Sequence, residues 1–231
     1  MGMITIGADI RQKRDPTAVA VSEESVRVVG GKLETYHGIR RLERLPLGTS
    51  YPDVATRLAE IVANTRKRRG LVRMVYVDAT GVGQPVVDTL AAANLGVPLM
   101  AVYFTHGDRR LEQDGPPRYV SLGKTWLVSR LQVLLQTGRI LLPKTAEAEA
   151  LAKELMDYEI RVTEQANDTY GAFKVGAHDD LVTALGLATQ LDPPPPTGAP
   201  WAGGPRNALT DPRTRRYDGG DDLRSRGDII R

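Results

Sequence analysis

Short apolar runs separated by turn signals divide the first 44 residues into extended segments. Residues 3–8 are apolar and small, and they end at Asp9. Further apolar runs at residues 17–23, 26–30 and 33–44 alternate with Asp-Pro and Gly-Gly turn signals, a pattern that predicts strands. The chain is therefore predicted to open as an antiparallel meander.

The apolar period changes to that of a helix after Ser50, which is a good N-cap residue, and this pattern stops at Gly70. Residues 71–78 then favour a buried strand, residues 85–94 a helix and residues 97–104 another strand. This order of elements is typical of a βαβ unit with parallel strands.

The rest of the chain is predicted to be mainly helical up to residue 191. Polar residues rich in Gly and Pro at 105–118 indicate a loop. Helices are predicted at residues 124–136, 145–158 and 181–191, a short apolar segment at 140–143 and a hairpin at 158–174. We expect one folded domain over residues 1–191. Residues 192–231 have too few apolar side chains to offset the entropy of ordering and are predicted to form a disordered tail.

Composition excludes several classes of protein. The chain has no Cys, which rules out disulfides and Cys-ligated zinc, and no apolar run is long enough to span a membrane. The apolar start meets Asp9 and a basic stretch, so no signal peptide is recognised. We therefore expect a cytosolic protein without a membrane partner.

Positive charge is clustered, although the net charge of +3 and the pI of about 9.2 are only mildly basic. Such clusters are expected of a protein that binds a polyanion, and ordinary solvated surface is the alternative. The clusters are Arg11, Lys13 and Arg14; residues 66–69; Arg109 and Arg110; and Arg213, Arg215 and Arg216.

Acidic residues stand at three predicted element ends. Asp9 ends the first strand, Asp78 ends the first parallel strand, and Asp179 and Asp180 begin the last helix. Helix capping and strand-end turns are the alternatives for each acid taken alone. Since the carboxyl ends of strands in an α/β sheet face one crevice, the three placements together favour a metal site there.

The meander, the βαβ unit and the helix with an acidic head describe an RNase H-like fold. This is an α/β fold with a mixed central sheet flanked by helices. Its chemistry uses two divalent cations to activate a water and to stabilise the leaving oxygen of a phosphodiester. Mg²⁺ and Mn²⁺ prefer oxygen ligands, so two such ions are the expected cofactors.

Four stretches sharpen this prediction. They read GADIRQKRDPTAVAV, VYVDATGVGQPVVDTL, LGKTWLVSRLQVLLQTGRILLP and HDDLVTALGLA. In this combination, residues 4–191 resemble the nuclease domain of the phage terminase large subunit, a member of the RNase H-like, resolvase-like superfamily. The resemblance implies that Asp9, Asp78 and Asp180 bind metal and are catalytic, with Asp179 as a neighbouring acid that assists. Asp180 is preferred by its spacing to the following Leu, and which of the two is the principal ligand stays open.

Other residues of these motifs are candidates for contacts around the metals or to a DNA phosphate. They are His178, Lys124 at the lysine position of the family, Asp15 and Thr80. A helix-capping neighbour is the alternative for His178, and Asp-Pro turn chemistry is the alternative for Asp15. Gly81 and Gly83 do not complete a Walker pattern and are interpreted as turn glycines.

The function expected from this resemblance is a metal-dependent DNA endonuclease that cuts concatemeric viral DNA during genome packaging. Arg11, Lys13, Arg14, Arg109 and Arg110 are the predicted contacts to double-stranded DNA. No Walker motif is present, so ATP hydrolysis by this chain is not expected. The chain is either an isolated nuclease domain or a stand-alone protein whose motor is a separate packaging ATPase. Small terminase and portal would be further partners. The protein would be encoded by a phage or prophage and act in the host cytoplasm. The alternatives are a Holliday-junction resolvase and a non-catalytic DNA-binding packaging module.

Overall fold

A mixed sheet of eight strands with helices on both faces forms the centre of the described part of the chain. The structure is a computed structural model, and it describes residues 2–13, 15–113, 118–162, 168–171 and 178–190. These residues belong to the first of two units, Met1–Pro193. The tail predicted at 192–231 lies outside them. No helix in these ranges is long and apolar enough to cross a membrane.

The central sheet contains β1 (Met3–Asp9), β2 (Ala18–Val29), β3 (Lys32–Arg44), β4 (Val72–Asp78), β5 (Leu99–Thr105), β6 (Arg110–Gln113), β7 (Tyr119–Gly123) and β8 (Ile140–Leu141). The strand order is β6-β7-β5-β4-β1-β2-β3-β8. β1, β2 and β3 pair antiparallel, whereas β1, β4, β5 and β7 pair parallel. The predicted meander joined to parallel strands is confirmed.

Five helices surround the sheet within the described ranges. They are α1 (Tyr51–Arg69), α2 (Gln84–Ala92), α3 (Lys124–Gln136), α4 (Ala146–Asp157) and α5 (Asp180–Ala188). The side chain of Ser50 accepts the N–H of Asp53 at the start of α1, and Thr145 accepts the N–H of Ala148 at the start of α4. The predicted hairpin contains β9 (Glu159–Val162) and β10 (Asp168–Gly171), and its turn at 163–167 lies outside the described residues.

Two parts of the predicted strand pattern are wrong. The runs at 17–23 and 26–30 form the single strand β2, since pairing with β3 continues through Ser25 opposite Tyr36. The segment predicted as a loop at 105–118 contains β6, which pairs with β7 at one edge of the sheet. An edge strand that is largely exposed carries little hydrophobic pattern.

The two faces of the sheet carry separate hydrophobic cores. Ile4, Ile6 and Ala8 of β1 pack in the core that contains side chains of α1 and α2. The core on the other face contains side chains of α3, α4 and α5. Because successive strand residues point to opposite faces, Asp9 and Asp78 lie on the face covered by α5.

Candidate metal centre

Asp9 and Asp78 lie side by side at the carboxyl ends of two neighbouring strands. They are direct partners in the parallel register of β1 and β4. Asp9 is fully buried, and Asp78 is 4% exposed. The structure thus brings these two predicted residues together at one edge of the sheet.

The same row continues across the antiparallel strands. Asp9 is opposite Ala18 of β2, and Ala18 is opposite Arg44 of β3. Two carboxylates and one guanidinium therefore occupy one row across four strands, with the small side chain of Ala18 between them. Sequence reasoning missed Arg44, because its place in this row depends on the register of β3.

Gly7 brings α5 to this edge. A Cβ atom at Gly7 would overlap the backbone carbonyl oxygen of Ala184 and the backbone nitrogen of Ala188, so the helix lies directly against β1. Residues 180–188 of α5 are buried on all sides, which fixes the helix between the sheet and its neighbours. The close approach delivers the acidic head of α5 to the strand ends.

Asp180 is engaged in a buried ion-pair network. Its side chain is 1% exposed, and its Oδ2 and Oδ1 accept hydrogen bonds from Nε and Nη2 of Arg44 at 2.7 and 3.3 Å. Arg44 also forms an ion pair with Glu154 of α4. Both carboxylate oxygens of Asp180 are therefore occupied by Arg44.

Glu154 caps α5 from a neighbouring helix. Its Oε2 accepts the backbone N–H groups of Leu181 and Val182 at 3.1 and 3.2 Å, which satisfies donors that the first turn of a helix leaves unpaired. Asp179 occupies the N-cap position, but its side chain makes no capping hydrogen bond. The half-buried Asp179 carboxylate is therefore not used for capping. Glu154 was also missed from sequence, because its role depends on how α4 packs.

The pKa of Asp9 is strongly perturbed. Burial is the largest cause, the Arg11 guanidinium opposes it, and the charges of Asp78 and Asp179 add to it, which raises the pKa of Asp9 to about 8. Oδ2 of Asp9 is buried, and no group of the described residues forms a hydrogen bond with it. A nearby cation would stabilise this carboxylate.

Thr80 fixes Asp78. Oδ1 of Asp78 accepts the backbone N–H of Thr80 at 2.8 Å, while Oγ1 of Thr80 accepts the N–H of Phe104 at 2.7 Å. Burial raises the pKa of Asp78, although the hydrogen bonds from Thr80 and the charges of Arg11 and Lys124 lower it. The left-handed φ of 83° and 78° at Gly81 and Gly83 agrees with their interpretation as turn glycines.

Arg11 joins Asp9 to a polar cluster on the next loop. Its Nε donates to Oδ1 of Asp9 at 3.0 Å, and its Nη1 lies 3.8 Å from Oδ2 of Asp15. Oδ1 of Asp15 lies 3.1 Å from Nδ1 of His178, and the same nitrogen lies 3.9 Å from Oδ1 of Asp180. His178 and Asp15 thus contact each other beside the acids.

A cleft of about 440 Å³ opens beside Asp78. Its walls include the cationic side chains of Arg11, Lys13 and Lys124. Nζ of Lys124 lies 5.5 Å from the centre of the Phe104 ring. If a metal were bound at Asp78, these cationic side chains could contact the anionic groups of a ligand that lies next to the metal.

The acids fit a hard divalent cation by their chemistry. Asp9, Asp78 and Asp179 offer carboxylate oxygens, and the buried Oδ2 of Asp9 has no hydrogen-bond partner in the part of the chain that the structure describes. Within the described ranges, however, no three His, Asp or Glu side chains are already gathered as a metal shell. Arg11 occupies one oxygen of Asp9, and Thr80 binds one oxygen of Asp78. Side-chain rotation would therefore have to accompany binding.

The remaining predicted DNA contacts differ in environment. Lys13 and Arg109 are exposed, and Arg14 lies outside the described residues. The side chain of Arg110 is only 13% exposed and lies 3.2 Å from Glu112. The charge of Arg110 also acts on Tyr76, whose pKa burial raises to about 12. Arg109 is therefore the better placed of the two arginines for a phosphate.

The structure resembles solved structures of a viral nuclease domain. No protein-family model and no curated protein match the sequence. The nuclease domain of human cytomegalovirus terminase gives a TM-score of 0.53 at 15% sequence identity, with 82% of each chain covered. The same domain, Mn soaked and inhibitor bound, gives a TM-score of 0.52 at the same identity and coverage. The predicted RNase H-like fold and its likeness to a terminase nuclease domain are confirmed.

Proposed function

We propose that this chain is a divalent-metal-dependent nuclease that hydrolyses phosphodiester bonds of double-stranded DNA. The observation that carries the proposal is the pairing of Asp9 with Asp78 at adjacent strand ends, to which α5 brings Asp179. Buried acids that raise one another's pKa are common at catalytic sites. The cationic cleft beside them suits a polyanionic substrate.

Each side chain has a separate task in this proposal. Asp9, Asp78 and Asp179 would hold two ions, Mg²⁺ or Mn²⁺, which supply an activated water and stabilise the leaving oxygen. Thr80 fixes the orientation of Asp78 through its backbone N–H. Asp180, already bound by Arg44, fixes the start of α5 and with it the position of Asp179.

Phosphate contacts would come from the cleft. Lys13 and Lys124 line it next to Asp78, and their charges suit a strand of DNA laid along the sheet edge. Such contacts position a backbone without reading its sequence. We therefore infer cleavage with little sequence preference by the isolated chain.

The biological role that fits best is cleavage of concatemeric viral DNA during genome packaging. The support is the fold shared with the human cytomegalovirus terminase nuclease domain. In this role a packaging ATPase would move the DNA, and small terminase and portal would be partners.

The test is cleavage of supercoiled plasmid and of a four-way junction with Mn²⁺, with Mg²⁺ or with chelator. We expect metal-dependent cutting of plasmid, and its loss in Asp78→Asn, which keeps the shape of the side chain but removes its charge. Asp88→Asn is the matched control, because Asp88 is exposed on α2 and contacts Gln84. Cleavage confined to junctions would indicate a resolvase. DNA binding without cleavage under all conditions would indicate a non-catalytic module.

A further inference from the structure

Arg11 occupies an unusual place for a residue of a DNA-binding surface. Its side chain is 36% exposed and borders the cleft, but Nε points back to the fully buried Asp9 at 3.0 Å. One end of the guanidinium thus binds the carboxylate that is central to the proposed metal site. The other end lies 3.8 Å from Asp15.

The acids of the proposed site all act on this one guanidinium. Burial lowers the pKa of Arg11, but Asp9, Asp179 and Asp78 more than compensate and raise it above its ordinary value. A guanidinium carries one positive charge, whereas Mg²⁺ carries two and approaches its oxygen ligands to about 2.0–2.1 Å. Arg11 and a metal therefore compete for the same negative field.

We propose that Arg11 is the internal counter-cation of the acidic cluster, and that divalent metal displaces its guanidinium from Asp9 into the cleft, where it binds a DNA phosphate. This inference rests on the proposed nuclease function. The long side chain of Arg11 lets the guanidinium turn from Asp9 towards the cleft that it already lines. The contact between Arg11 and a DNA phosphate would therefore form only when metal is bound.

The proposal predicts opposite effects on metal and on DNA. Arg11→Gln should lower the apparent Kd for Mn²⁺ by about tenfold, because a competing charge has been removed. The Kd is measured by calorimetry without DNA, at a pH at which Asp9 is ionised in both proteins, since loss of Arg11 also raises the pKa of Asp9. The same variant should raise the KM for a duplex at saturating Mn²⁺. Arg11→Lys retains the charge and should stay near the wild type in Mn²⁺ affinity. The matched control is Arg40→Gln, which removes an ion pair with Glu23.

The two measurements separate this inference from the proposed function. Tighter Mn²⁺ binding together with a raised KM in Arg11→Gln supports the displacement. Unchanged or weaker Mn²⁺ binding in that variant overturns it, even if the wild type binds Mn²⁺ and cuts DNA. A wild type that neither binds Mn²⁺ nor cuts DNA overturns the inference and the proposed function together.

Discussion

Arg44 binds both oxygens of Asp180, across 136 residues of sequence, with Nε 2.7 Å from Oδ2. The adjacent Asp179 has no capping hydrogen bond, and its charge acts on Asp9 and Arg11 instead. Neighbouring helix positions differ by about 100° in direction, so the two acids cannot face the same partner. This division favours Asp179 as a metal ligand and Asp180 as a positioning residue.

Asp179→Asn should therefore affect mainly the cleavage rate, and Asp180→Asn mainly the stability of the fold. We expect Asp179→Asn to lower the cleavage rate by about a hundredfold or more without loss of stability, because it removes a ligand charge and relieves repulsion. Asp180→Asn should lower the free energy of unfolding by about 2 kcal/mol. Removing one partner of a fully buried ion pair costs about 3–5 kcal/mol. The expected loss is smaller here, because Arg44 is partly exposed and retains its ion pair with Glu154.

Plasmid cleavage and thermal unfolding of both variants check this division. A double variant, Arg44→Met with Asp180→Asn, should be less stable than Asp180→Asn alone, because it also leaves the buried Glu154 without Arg44. If Asp180→Asn remained as stable as the wild type but lost Mn²⁺ binding, Asp180 would be the ligand.

The sequence predicts that acids lie at the strand ends but not how the two adjacent acids divide their tasks. The placement of Asp9 and Asp78 is predictable because a strand-end acid after an apolar run is a local pattern, and the structure pairs the two residues. The roles of Arg44 and Glu154 depend on the register of β3 and the packing of α4, which are long-range features. Strand β6 escaped prediction because an exposed edge strand need not alternate apolar and polar residues.

The metal-free protein should lose stability as the pH rises, because of Asp9. Its pKa is about 8 in the folded protein against an ordinary value of 3.8, so the folded state binds more protons between these values. Its contribution to stability is therefore greatest below 3.8 and falls as the pH rises towards about 8. Asp9→Asn cannot ionise, so its melting temperature relative to wild type should increase over this window.

Melting in chelator at about pH 5 and about pH 8.5 measures this difference. Asp88→Asn, which changes an exposed acid, should show no such trend. A constant difference between wild type and Asp9→Asn at both pH values would mean that Asp9 is not perturbed in the folded state.

Gly7→Ala should displace α5. The added methyl group would meet backbone atoms of Ala184 and Ala188, which cannot move without shifting the helix. We expect a loss of about 3 kcal/mol in the free energy of unfolding, at the upper end of typical overpacking. Cleavage by the protein that remains folded should also fall, because the head of α5 carries Asp179.

Gly38→Ala is the matched control for Gly7→Ala, since the atoms nearest to the new Cβ would belong to the long side chain of Arg40, at 3.2 Å, and not to backbone. Its cost should stay below about 1 kcal/mol. Equal melting temperatures for the two variants would show that β1 and α5 are not in close contact.

Substitution of Arg109 should weaken DNA binding, whereas substitution of Arg110 should lower stability. The backbone carbonyl of Arg109 accepts the N–H of Gly123, next to Lys124 of the cleft, and its side chain is exposed. Arg109→Ala should weaken binding to unrelated duplexes about equally and lower the magnitude of the salt slope of log K by about 0.9. Arg110→Ala should leave that slope unchanged and lower the melting temperature, because it removes the partly buried ion pair with Glu112. Binding measured over a salt series in chelator, where no cleavage occurs, gives both slopes. A reduced slope in Arg110→Ala with an unchanged slope in Arg109→Ala would reverse the assignment.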